Sequence, residues 1–341
     1  MSLKFLAVAT LVLALVLAAI PNLIWLLVYS LGRLLDFRVR YAPFGWIAFG
    51  LAVFCVLTMA YGCFVGRWMF RVTEFEYTNS DIPEAFDGYR IIHISDLHLS
   101  TFDDNRKQLE KIVRQINELD ADLVCFTGDL VTVGTKEAEP YTGQLKAIKS
   151  RDGVISVLGN HDFMIYAFNG RSERDREASV DSLANYERET LGWKLLRNEN
   201  LSIDREGGKI TFVGVDNGNC SDQGFRTINK SDLPKAMEGT DGFRILLSHD
   251  PSQWEAEVVG KVDIPLTLSG HTHAAQVRLF GWTPASWVFR QTDGRYDCDG
   301  QTLYVNIGLG CTAPVRIGAR PEITVITLNH FKTDSNFLNR W

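Results

Sequence analysis

Between Lys4 and Arg33 the chain carries no charged residue, and between Arg40 and Arg67 it again carries none. A helix needs ~20 mostly apolar residues to cross the hydrocarbon core of a bilayer. Both runs exceed that length, so they are read as two spanning helices at about 5–32 and 41–66. Pro21 and Asn22 interrupt the first run, a break that helices in lipid tolerate when neighbouring groups satisfy the backbone. Trp25, Tyr29, Tyr41, Trp46 and Trp68 fall toward the ends of the runs, where aromatic rings favour the membrane interface. Lys4 followed by FLAVATLVLALVLAA also resembles a cleavable signal sequence. That reading is the weaker one, because the apolar run continues past the usual length and a second run follows.

Two spans return the chain to the side on which it began. The loop between them offers Arg33, Arg38 and Arg40, and the opposite side offers Lys4, Arg67 and Arg71, so the count of positive charges does not choose a face. Cys55, Cys63, Cys125, Cys220, Cys298 and Cys311 show no paired spacing that would identify an oxidising compartment. Residues 1–72 carry a net charge of +5 against −6 for the whole chain, so the remainder carries −11. An acidic module repels a polyanion, and nucleic acid is therefore not expected as a partner.

After residue 72 the periodicity changes. Glu74 and Glu76 alternate with Phe75 and Tyr77, the pattern of an edge strand. Short apolar runs follow at 90–95, 122–127, 153–158, 243–248 and 264–269. Between the first two, residues 104–119 place Leu109, Ile112, Val113 and Ile116 on one helical face. Strand, helix, strand units of this rhythm imply an α/β core. Beyond residue 269 the helical signal fades, and Val277, 303–307 and 323–328 read as further strands of a mixed sheet arrangement.

Each of the five runs ends directly in residue types that bind metal ions. The series is Asp96-Leu97-His98, Gly128-Asp129, Gly159-Asn160-His161-Asp162, His249, and Gly270-His271-Thr272-His273. In open α/β sheets, sites assemble at the carboxyl ends of strands, so five such clusters can converge on one crevice. Five of the seven histidines lie in these clusters. His93 is out of phase with the buried face of its strand and reads as structural, and His330 reads as solvated. Phe163, Tyr166 and Phe168, just after the third cluster, are either ordinary packing or an apolar lip to the site.

The series SDLHL, GD, GNHD, H, GHTH resembles the calcineurin-like metallophosphoesterase superfamily over residues of about 70 to 328. The stretches GHTHAAQVRL and YVNIGLG…PVRIGARPEITVITL are similar to its membrane-associated bacterial branch. The resemblance implies a four-layer α/β/β/α sandwich for residues 73–330, preceded by the membrane anchor and followed by a tail at 331–341. It also implies a dinuclear metal centre: Asp96, His98 and His273 on one ion, Asn160, His249 and His271 on the other, and Asp129 bridging them. Ligands of N and O type without thiolate favour Mn, Fe, Zn or Ni over soft metals. Two such ions would activate a water for in-line attack on phosphorus. His161 would then protonate the leaving oxygen, with Asp162 orienting it.

Two departures narrow the substrate. Phosphoprotein phosphatases of the superfamily carry Asp-Arg after the bridging aspartate and end the third motif in glutamate. Here Leu130-Val131-Thr132 and Asp162 stand instead. Lipid A precursor pyrophosphatases are closer in SDLHL but carry arginine at the place of His161. The expected activity is hydrolysis of a phosphomonoester, phosphodiester or pyrophosphate, with a lipid-linked substrate suggested by the tether to the bilayer of a bacterial inner membrane. A soluble-nucleotide phosphodiesterase or nuclease is the alternative, and a non-catalytic membrane scaffold a further one.

Overall fold

The computed structural model describes residues 3–103, 105–167 and 172–331, so Phe168 and most of the tail lie outside the described residues. Helices α1 (Leu3–Leu34) and α2 (Ala42–Phe64) form an antiparallel hairpin. At 1.5 Å per residue, even the shorter α2 spans about 35 Å, enough for the hydrocarbon core. Both helices are long and apolar enough to cross a membrane, and little of their most apolar windows is buried within the protein. Pro21 does not break α1. Asn22 Nδ2 donates to Ala18 O, and Tyr41 Oη donates to Asn22 Oδ1 at 2.7 Å, tying the loop back to the first helix.

Among the described residues twelve strands follow: β1 (Arg71–Asn79), β2 (Tyr89–Ile94), β3 (Leu123–Phe126), β4 (Val154–Ser156), β5 (Lys194–Leu195) and β6 (Glu199–Arg205). The second half comprises β7 (Gly208–Gly214), β8 (Phe243–Leu247), β9 (Leu266–Ser269), β10 (Gly294–Cys298), β11 (Gln301–Val305) and β12 (Glu322–His330). They make two six-stranded sheets, ordered β1-β12-β2-β3-β4-β5 and β10-β11-β9-β8-β7-β6. In the first sheet β2, β3, β4 and β5 run parallel, and in the second β7, β8, β9 and β11 do. The remaining pairs mix directions: β12 is antiparallel to β2, and β6 and β10 are antiparallel edge strands.

Three apolar layers bind the sheets into four tiers. Ile91, Leu123 and Ile155 of the first sheet meet Phe212, Ile245 and Leu268 of the second. On the outer face of the first sheet, Ile92, Val124 and Val154 pack with α3 (Arg106–Glu118) and α5 (Glu173–Asn185), while α4 (Thr142–Lys146) adds Leu145. The outer face of the second buries Val213, Leu246 and Val305 under α6 (Leu233–Ala236) and Trp254. Because both faces of each sheet are covered, the central strands are continuously apolar rather than alternating. The result is the α/β/β/α sandwich.

The buried stripe of α3 is Leu109, Ile112, Val113 and Ile116, as its spacing predicts. Three expectations need correction. Val277 belongs to no strand and makes only an isolated bridge with Ile317. His93 is not out of phase with a buried face, since both faces of β2 are buried; it sits between the sheets, its Nε2 2.9 Å from Thr127 Oγ1. His330 is part of β12 and half-buried, with Nδ1 2.6 Å from Ile82 O.

Candidate metal centre

The loops after β2, β3, β4, β8 and β9 bring Asp96, His98, Asp129, Asn160, His249, His271 and His273 into one cluster. Its core is a set of close approaches between imidazole nitrogens and carboxylate or amide oxygens. His98 Nε2 lies 3.1 Å from His273 Nε2, and Asp96 Oδ1 lies 3.2 Å from the latter. Asp129 Oδ2 stands between two histidines, 3.4 Å from His98 Nε2 and 3.2 Å from His249 Nε2. Asn160 Oδ1 is 3.0 Å from His249 Nε2 and 2.8 Å from His271 Nδ1.

The backbone is bent to make this possible. Asp96, His98, Asp129, His271 and His273 all have φ between 42° and 74°. Left-handed conformations cost non-glycine residues on the order of 1–3 kcal/mol each, and such strain collects at functional sites. The glycines before the clusters permit close approach: a Cβ on Gly159 would fall 2.2 Å from Asp129 Oδ1 and 2.7 Å from His249 Cε1.

Neighbouring groups fix which ring nitrogen faces inward. His249 Nδ1 is 2.6 Å from Thr127 O, an acceptor only, so it donates there and leaves the Nε2 lone pair toward Asn160 and Asp129. Gln223 Nε2 donates to Asp250 Oδ2 at 2.6 Å, which turns Gln223 Oε1 toward His271 Nε2 at 3.0 Å and leaves Nδ1 of that ring facing the cluster. Asn160 Nδ2 donates to Tyr166 Oη, so its Oδ1 points inward. The inward atoms of Asn160, His249 and His271 are therefore acceptors.

A buried set of acceptors holding two carboxylates calls for cations. Asp96 Oδ1 is buried and has no hydrogen-bond partner among the described residues. Burial lowers the pKa of His98 to about 4. It lowers that of His249 too, but Asp129 and Asp96 overturn the effect and push the value up to about 10. The residues present thus fit a pair of divalent metal ions, and with oxygen and nitrogen donors alone they do not choose the element.

The third cluster divides differently from its sequence-based reading. His161 Nδ1 is 3.0 Å from Thr132 O, which orients the ring, while its backbone amide donates to Asp129 Oδ1. Asp162, expected to orient that ring, instead accepts the backbone amides of Asp129, Gly159 and Val131 at 2.7–3.1 Å. It clasps two of the loops together. Phe163 is buried in the helix-side core and forms no lip. Tyr166 does face the cleft, which has a volume of roughly 490 Å³ and an apolar wall that includes Val277, Pro284, Phe289 and Val315.

Sequence reasoning missed Gln223, Asp250 and Arg316. Asp250 follows His249 directly and carried a signal in that adjacency. Gln223 sits in a polar loop without periodicity. Arg316 is almost wholly buried, with Nη2 3.2 Å from His273 Nδ1.

Residues 89–275 match the calcineurin-like phosphoesterase family. The metallophosphoesterase YkuE of Bacillus subtilis is 31% identical over 79% of this chain and 88% of its own length. A zebrafish (Danio rerio) transmembrane protein with a metallophosphoesterase domain is also 31% identical, over 76% of this chain but only 57% of its own. Among solved structures, a dimetal phosphatase from the same fish aligns with 71% of this chain and 99% of its own at 14% identity, with a TM-score of 0.42. With the family matched over more than half its length and a two-thirds-spanning relative at that identity, the chain belongs to the calcineurin-like phosphoesterases and is a metal-dependent phosphoric ester hydrolase.

Proposed function

We propose that the protein hydrolyses the phosphate ester or pyrophosphate of a lipid-linked substrate at a bacterial inner membrane, using two divalent ions. Asp96, His98 and His273 would hold one ion, Asn160, His249 and His271 would hold the other, and Asp129, between the two groups, would serve both. The observation that carries this reading is the position of Asp129 Oδ2, between His98 Nε2 of one group and His249 Nε2 of the other. When bound, such ions supply Lewis acidity and a nucleophilic water at neutral pH.

The chain's own residues do the rest. Asp129 accepts the amide of His161 and so couples the bridge to the loop that carries the acid. Thr132 O receives Nδ1–H of His161, leaving Nε2 to deliver a proton to the leaving oxygen, a contribution of typically 10²–10⁴-fold. Tyr166 and the apolar wall flank the cleft. Support for a lipid-linked substrate comes from the position of the anchor: α2 ends against the segment that carries Val315, which lines the cleft.

The test uses the full chain in nanodiscs. Chelation should abolish turnover, and Mn or Zn should restore it with close to two ions per chain. A lipid phosphate should be hydrolysed more efficiently than a soluble nucleotide. Efficient turnover of nucleotides alone would sink the lipid assignment while leaving the phosphoesterase standing.

A further inference from the structure

Residues 279–289 read LFGWTPASWVF and carry no charge, with Arg278 before them and Arg290 after. In a soluble domain such a run should be buried. Here its large side chains point outward: Phe280 is wholly exposed, Trp287 is 78% exposed, and Leu279 and Trp282 are each nearly half exposed. Scattered exposed apolar residues are ordinary, but a contiguous group of them marks an interaction surface.

The group is held rigidly. Leu279 and Trp282 exchange both backbone hydrogen bonds, at 2.9 and 3.0 Å, across the two-residue turn Phe280-Gly281, in which both φ angles are positive. That is a tight hairpin of the primed class, which presents Phe280 at its tip. Trp282 and Trp287 pack edge to face with ring centroids 5.3 Å apart. Thr283 Oγ1 accepts the amide of Ala285 and caps the short turn Pro284–Trp287. No part of this arrangement needs to fold on contact.

Its location identifies what covers it. Arg278 N donates to Ile317 O at 2.8 Å, and a Cβ on Gly62 of α2 would fall 3.0 Å from the side chain of Ile317 and 2.6 Å from that of Val315. The base of the hairpin is therefore one strand's width from the end of a membrane-spanning helix. Phe280 is two residues beyond Arg278 and so within about 7 Å of it. The polar zone of each leaflet is only ~5–8 Å deep, given hydrocarbon and total thicknesses of about 30 and 40–45 Å. Aromatic residues flanked by arginines suit that zone.

We propose that residues 279–289 form a wedge seated in the same bilayer that α1 and α2 span, with Phe280 and Trp287 among the lipid headgroups and upper acyl chains. The inner face of the same segment supplies Pro284 and Phe289 to the cleft wall, so seating the wedge opens the cleft toward lipid. The proposal rests on reading α1 and α2 as spans, and it is independent of which phosphate ester is cleaved.

The experiment reconstitutes the full chain into nanodiscs of phosphatidylcholine, with and without bromine near the carbonyl end of the acyl chains. The double variant Trp282→Phe, Trp287→Phe keeps the ring packing and removes only the two reporters. The fluorescence difference between the native chain and this variant should fall by more than half in the brominated discs. A difference signal that bromine does not quench would overturn the wedge. Emission at long wavelength would then place the rings in water, and emission at short wavelength would place them against a second copy of the chain. Quenching together with hydrolysis of soluble esters alone would keep the wedge and remove the lipid substrate.

Discussion

The Arg316 guanidinium lies 3.2 Å from Nδ1 of His273, while the backbone amide of the same arginine donates to Gly62 O at 3.1 Å. One residue therefore touches both a candidate metal ligand and a candidate membrane-spanning helix. Its side chain also donates to the carbonyls of Ile307, Gly308, Gly310 and Ala319, fixing the loop around the cluster.

Replacing Arg316 with Met keeps the length of the side chain and removes every donor. Each buried carbonyl left without a partner costs about 1–3 kcal/mol. Partial relaxation still leaves an expected loss of about 3 kcal/mol in denaturant unfolding, together with weaker retention of metal measured by elemental analysis. Unchanged stability and metal content would show that the arginine is not a strut.

Asp129→Asn exchanges one oxygen of the proposed bridging carboxylate for an amide nitrogen that cannot bind a cation. Metal content should drop below two per chain, and turnover should fall with it by at least ~10³-fold. His161→Ala should behave differently, retaining both ions while kcat falls by ~10²–10⁴. Metal loss from the alanine variant would reverse the division of roles between these two residues.

Asp162→Asn tests the clasp. The carboxylate takes three backbone amides, and an asparagine has one acceptor oxygen for them. Stability should fall by about 1–3 kcal/mol, with any loss of turnover following the fold. If Asp162 instead oriented His161, the acidic limb of the pH–rate profile would move at unchanged thermal stability.

Glu187, bonded to Ser156 at the end of β4, gives a pH-dependent signature of its own. Burial raises its carboxyl to about 8 despite the bond from Ser156 Oγ at 2.6 Å. In the unfolded chain the group ionises near its ordinary value of about 4.3. Between those values the unfolded chain has released a proton that the folded one keeps, so this contribution is complete below the unfolded pKa and is lost as pH rises toward 8. Glu187→Gln should remove it. Relative to the native chain, the variant should gain on the order of a few kcal/mol between pH 5 and pH 8 in urea unfolding. Parallel stability curves would contradict a protonated Glu187.

The sequence disclosed the site better than its supports. Asp96, Asp129 and His271 were legible because each follows a short apolar run, and the end of a strand is where an α/β sheet builds a site. Arg316 was not, since a lone arginine in a loop reads as solvent-facing until five buried groups are seen around it. The β6–β7 pair marks the sequence only by an alternation at Leu201 and Ile203, and β5, at two residues, is too short to have a period. Asp162 was misread because adjacency to His161 suggested a partnership, while three backbone amides outcompete a ring for the same carboxylate.

The pairing of β1 with β12 orders the events of biosynthesis. Of the strands among the described residues β12 is the last to leave the ribosome, yet it lies between β1 and β2, the first two. The membrane hairpin emerges more than 250 residues earlier and can insert while the sheet it feeds still lacks an inner strand. Until Glu322–His330 arrives, β1 has no neighbour and β2 offers an open edge to other chains. A chain that ends before residue 322 would thus leave the first sheet unclosed between β1 and β2.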